Sequence, residues 1–348
     1  MDVRQQADPD HEPVAGQPET AAPPAGLAEL ALAVSRLQHP AFAVLDGAHW
    51  DDMPTKLERA GLGGRSLYLG AGQAVEAAGP WLVSLDQRPD AVGALMELLG
   101  ERPAAVFWGC EAGEAALWRH LRTLNQIEIA RVPDAAEPGL AVPGGADAAA
   151  GNAGLPTSTG EGPEIVSFRH WDPRGLGSVL PLLDAAQFAR MFGPANEVVF
   201  LDPPAHGGFG VRRAVRTPDL PIAPHGRMRL SAEQVLALDE AVQVRSTRRI
   251  GRYLRETAPE EAAHLTDGQL HKIVEDSAAE GRLLGLRSER AQGQWAYLAI
   301  TTGGVIGRDG KVVAHVARGQ DSPDTNLDVL FARMVRLAQE EARAVGQR

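Results

Sequence analysis

One cysteine, Cys110, in 348 residues rules out an intramolecular disulfide framework and fits a reducing compartment. No apolar run approaches the roughly 20 residues that a membrane-spanning helix needs. The first residues are acidic and polar where a secretory leader would be basic and then apolar. A cytoplasmic protein without a membrane partner is therefore expected. Positive charge is scarce too, with 34 Lys and Arg against 45 Asp and Glu, and the net charge of -11 argues against general binding to nucleic acid. Arg245 to Arg255 is one stretch that concentrates basic residues locally.

The usual marks of catalysis are missing as well. There is no G-x-x-x-x-G-K-[ST] loop, no G-x-S-x-G elbow and no H-x-x-x-H pair. In LYLGAGQAV, Gly70 and Gly72 follow an apparent strand, but Val75 takes the third glycine position and Gly79-Pro80 arrives too soon for a helix that could hold a pyrophosphate. A turn is the simpler reading. Cys110 and His120 would need a third, orienting group to form a catalytic pair, and a structural cysteine is favoured. No cofactor, metal or enzymatic activity is expected. Asp46, Asp172 and Asp202 fall at expected strand ends, where α/β active sites gather, yet aspartates there most simply cap turns and helices.

Length, by contrast, is ample, since 348 residues is about twice a common domain and two lobes are expected. Positions 1–26 are rich in Pro, Ala and acidic residues and read as a disordered tail. A helix is expected from Leu27. Beyond it, the apolar runs Phe42 to Leu45, Leu67 to Leu69, Trp81 to Leu85 and Ala104 to Trp108 alternate with helical stretches at Ala91 to Leu99 and Ala115 to Leu124. This alternation predicts an α/β (α+β) lobe over 27–216 with a mainly parallel or mixed sheet. Positions 134–163 interrupt it with a Gly, Ala and Pro run that is either a disordered insertion or a flexible linker.

Local signals are densest from Glu164 to Pro194. Ile165, Val166 and Phe168 form a strand pattern, and Asp172-Pro173 is a helix start. Asp184 with Gln187 makes a capping box, stapled by Leu183 and Phe188, and Gly193-Pro194 stops the helix. Val198 to Leu201 reads as the closing strand, and Asp202 to Pro224 as irregular chain ending in a Pro-rich connector over 217–226. An all-α lobe is expected over 227–348. Its starts are marked by Ser231 with Gln234, by Thr266 with Gln269, and by Ser322 before Pro323. Trp295 to Ile306 and Val312 to Val316 suit either helices or a hairpin.

Arg169 alternates with Ser167 and Trp171, and its guanidinium can hold the carboxylate of Asp46 or of Asp172. The same strand end could instead belong to a partner surface anchored by Trp81 or Trp171. The candidate partner-binding or structural residues are thus Asp46, Trp81, Arg169, Trp171, Asp172, Pro173 and Arg174.

The run RHWDPR at Arg169 to Arg174, VLPLL at Val179 to Leu183 and QFARMFGP at Gln187 to Pro194 resembles the bacterial type VI secretion effector adaptors, whose members are usually encoded beside the VgrG spike protein. AVLDGA at Ala43 to Ala48, SLYLG at Ser66 to Gly70, GPWLVSL at Gly79 to Leu85 and FWG at Phe107 to Gly109 are similar to that family in the same order. The resemblance implies that 134–163 is an insertion and that 295–306 is helical. It implies a non-enzymatic adaptor or chaperone whose partners are a secreted effector protein (a toxin) and the VgrG spike trimer. The alternatives are an immunity or scaffold protein for a toxin, or an enzyme using the Asp-rich strand ends.

Overall fold

The structure is a computed structural model that describes residues 25–131, 163–318 and 321–345. The tail expected over 1–26 and the insertion expected over 134–163 lie outside the described residues, except that Ala25 and Gly26 open the first helix and Pro163 precedes a strand. The strands are β1 (Ala41–Asp46), β2 (Gly64–Ser66), β3 (Pro80–Ser84), β4 (Ala105–Gly109), β5 (Gln126–Ile129), β6 (Glu164–Ser167), β7 (Glu197–Asp202), β8 (Gly210–Val215) and β9 (Met228–Leu230). Through the first region run the helices α1 (Ala25–Val34), α2 (Met53–Arg59), α3 (Gln73–Ala78), α4 (Ala91–Leu99), α5 (Glu114–Arg122), α6 (Pro173–Val179) and α7 (Ala185–Phe192). The largely helical remainder comprises α8 (Ala232–Thr257), α9 (Pro259–Ala262), α10 (Asp267–Leu283), α11 (Glu289–Thr301), α12 (Gly310–Arg318) and α13 (Pro323–Val345).

Six strands form one sheet in the order β2-β3-β1-β4-β7-β8, and every neighbouring pair in it is antiparallel. This corrects the expected mainly parallel or mixed sheet. The physical reason lies in burial. Along β1, Phe42 and Val44 point into one core while Ala41, Ala43 and Leu45 point into another, and β4 divides the same way between Val106, Trp108 and Ala105, Phe107. A strand covered on both faces is apolar throughout, whichever way its neighbours run. The one parallel pair among the described residues is β5 with β9, in a separate sheet ordered β6-β5-β9.

One face of the large sheet is covered by α1, α2 and α4 through Leu30, Val34, Met53, Leu57, Leu95 and Leu99. The other is covered by α5, α6, α7, the small sheet and the first turns of α8, where Val235 and Leu238 join the core. The capping boxes of α7, α8 and α10 form as expected, with Asp184, Ser231 and Thr266 each accepting from the backbone of the glutamine three residues on.

Asp202 to Pro224 is less irregular than its prolines suggest, because β8 pairs with β7 inside it. The small sheet draws Met228 to Leu230 against β5. The segments left open between helix and hairpin are helical, as α11 and α12. Trp295, Leu298, Val316 and Leu327 pack there as a further core, and Ile250, Leu254, Leu270, Val274 and Ala296 form another between α8, α10 and α11.

Candidate functional site

Each of the three aspartates expected at strand ends holds an arginine, although only Asp46 and Asp202 close strands, β1 and β7, while Asp172 lies beyond β6 as the N-cap of α6. Asp46, at the end of β1 and 3 % exposed, pairs with Arg169 and accepts from the Ala48 backbone at 3.3 Å, with His49 Nε2 3.7 Å away. Asp172, 2 % exposed, caps α6 by accepting from the Arg174 backbone at 3.0 Å, and the Arg174 side chain folds back on it at 3.3 and 3.4 Å. Asp202, fully buried, takes two parallel bonds from Arg245 of α8 at 2.7 and 2.9 Å. All three carboxylates are buried and have lost water, so a fixed guanidinium restores the missing donors. Of the two partners offered to Arg169, the structure assigns Asp46.

Beside this network lies a cleft of about 110 Å³ between the inner face of the small sheet, α6 and α8. Its floor is apolar, with Ile127, Ile129, Val166, Leu230, Leu238 and Val242 among the residues that form it. Arg169, Arg174, Arg245 and Arg249 line the same cleft, with His206 and Asp239. The carboxylates that pair with these arginines, Asp46, Asp172, Asp202 and Glu289, are not in its lining. The cleft wall is thus richer in cations than the acidic chain as a whole. Burial lowers the pKa of His206, and Arg174 and Arg249 lower it further. Burial raises the carboxyl pKa of Asp239, which has no ion pair among the described residues. His49 is lowered by burial, with Asp46 opposing and Arg174 and Arg169 reinforcing.

Arg169 and Arg174 therefore reach the cleft, with Asp46 and Asp172 behind them. Pro173 is buried at the first position of α6. Trp171 is 3 % exposed and packs edge-on against Tyr68 and His170, with ring centroids 5.7 and 4.9 Å away. Trp81 is half-buried on the opposite core and donates its indole N–H to the Glu76 carbonyl at 2.9 Å. Neither tryptophan lines the cleft. Cys110 is buried near the Pro194 carbonyl, 3.4 Å from its sulfur, and burial pushes its thiol pKa up.

Sequence reasoning missed the contribution of α8. The signal was present: Val235, Leu238, Val242, Arg245 and Arg249 recur at spacings of three and four, one helical face that changes from apolar to basic. Among the described residues no group of three or more His, Cys, Asp or Glu could hold a metal ion, and no helix is long and apolar enough to cross a membrane.

Residues 41–135 match the family described as Domain of unknown function (DUF4123), a stretch that takes in β1 to β5. No curated protein and no solved structure matches the chain.

Proposed function

We propose that the protein is a non-enzymatic adaptor that binds a toxic effector of a type VI secretion system and brings it to the VgrG spike. The observation that carries this reading is the convergence of the family-like segments. Arg169, from the RHWDPR run, pairs with Asp46 of the AVLDGA run across 123 positions, and Trp171 packs on Tyr68 of the SLYLG run. The motifs thus form one structural unit. Beside it opens the apolar cleft with its arginine-lined wall, a surface suited to holding part of another polypeptide. The match over residues 41–135 supports the same reading.

Binding an effector before export would cover apolar surface that otherwise aggregates, and would stabilise it by mass action. Deleting the gene should abolish export of the effector while leaving its synthesis and the export of spike protein intact. Unchanged effector export would refute the proposal. Self-intoxication of the deletion strain with export intact would instead identify an immunity protein.

A further inference from the structure

The small sheet has an open side. Its order is β6-β5-β9, so β6 is an edge, and Glu164, Ile165 and Ser167 in it are exposed. The register decides which backbone groups are free. Phe168 N–H bonds to the Asn125 carbonyl at 2.9 Å, so this pair is a hydrogen-bonded one. In an antiparallel ladder such pairs alternate, so Val166 opposite Ile127 and Glu164 opposite Ile129 also face inward. Ile165 and Ser167 then turn their N–H and C=O groups away from β5. Among the described residues no strand pairs with that side. An exposed edge of this kind is a ready template for another extended chain.

Position and charge specify what would fit. Val166 belongs to both the edge strand and the cleft lining, so a chain added along β6 would project alternate side chains toward the cleft. A space of about 110 Å³ is on the order of a single aliphatic side chain. Arg169, Arg174, Arg245 and Arg249 turn toward the cleft with their paired carboxylates outside its lining, in which Asp239 is the one acidic residue, so the N–H groups they leave unused are what an added chain would meet. We propose that the edge of β6 receives an extended acidic segment of a partner polypeptide as a fourth strand, seating one apolar side chain of that segment in the cleft.

If the adaptor reading holds, the partner is the effector. The surface assignment is testable without it, using random nine-residue peptides displayed on phage and panned against the full chain. Enrichment of peptides with an aliphatic or aromatic residue flanked by Asp or Glu is expected. In a synthetic enriched peptide, N-methylation of the alternate amides that face β6 should weaken binding at least tenfold, while methylation of the opposite set should not. Ile165→Pro, which removes an outward N–H, should weaken it similarly, and Ile165→Thr should retain it. No enrichment, enrichment of basic peptides, or equal tolerance of both methylation patterns would overturn the proposal. So would dimerisation of the chain that is lost in Ile165→Pro, since a second copy would then occupy the edge. Peptide binding at β6 together with failure of the effector to bind would remove the adaptor reading and leave this surface standing.

Discussion

The bidentate pair of Asp202 and Arg245 ties the end of β7 to the middle of α8, and its removal should be among the most damaging single changes in the protein. Asp202 is fully buried while the Arg245 side chain, 9 % exposed, borders the cleft, so it is the carboxylate that cannot fall back on water. On the side away from the cleft the pair is tightly packed. A Cβ on Gly177 would come within 2.9 Å of Asp202 Oδ2 and 3.0 Å of Arg245 Nη2, and one on Gly208 within 2.2 Å of Asp202 Oδ1. Arg245→Met leaves a carboxylate stranded in this space, and the expected loss is about 3 to 5 kcal/mol. Asp202→Asn leaves the guanidinium beside the cleft with one acceptor oxygen still in place and should cost less. The double variant leaves no buried charge, so its loss should fall short of the sum by at least about 2 kcal/mol. Equilibrium denaturation in urea measures all three. A loss below about 1 kcal/mol for Arg245→Met, or additive losses, would refute the argument that the carboxylate is held out of water.

The same logic applied to Arg169 separates its two possible partners: Asp46→Ala and Arg169→Ala should be coupled in a double-mutant cycle, whereas Asp172→Ala and Arg169→Ala should be additive within about 0.5 kcal/mol. Gly193→Ala should destabilise strongly, because the residue has φ +52° and an added Cβ would lie 2.3 Å from the His120 ring; a melting temperature within a degree of the parent would contradict this. Burial holds His120 at about 4 and His170 at about 3, below the ordinary histidine value near 6.5, so the unfolded chain binds more protons in that window. Stability is therefore complete above about pH 6.5 and falls as pH drops toward 4 and then 3, and His170→Gln should flatten the melting temperature profile from pH 7 to 5. Replacing 135–162 with a short Gly/Ser linker should leave the melting temperature unchanged, since the cost of loop closure grows only logarithmically with length.

What the sequence made legible was local. Asp184 with Gln187, Ser231 with Gln234 and Thr266 with Gln269 signal their helices because a cap and its partner are three residues apart and need nothing else. Strand direction was not legible, since Phe42 and Val44 face one core and Ala43 and Leu45 the other, which removes the alternation that marks a half-exposed antiparallel strand. β8 was hidden for the opposite reason: VRRAV is an edge strand with partly exposed arginines, set among glycines and prolines. The candidate site was half visible. Asp46, Arg169, Asp172 and Arg174 stood out as residue types at strand ends, but the choice of Asp46 for Arg169 spans 123 positions and that of Arg245 for Asp202 spans 43. Pairings across such separations are set by the packing of whole elements. The cleft itself needed β5, β6, β9 and α8 in place before it existed.

The central claim is that this chain joins an effector to the spike, and reconstitution from purified components tests it most directly. Effector, spike trimer and the full-length chain would be mixed in pairs and together and resolved by size-exclusion chromatography with light scattering. The expected result is one complex containing all three, with the effector eluting apart from the spike when the chain is left out and its toxic activity still measurable in the complex. Association of effector and spike to the same extent without the chain, or a complex of chain and inactive effector that never includes the spike, would contradict the account.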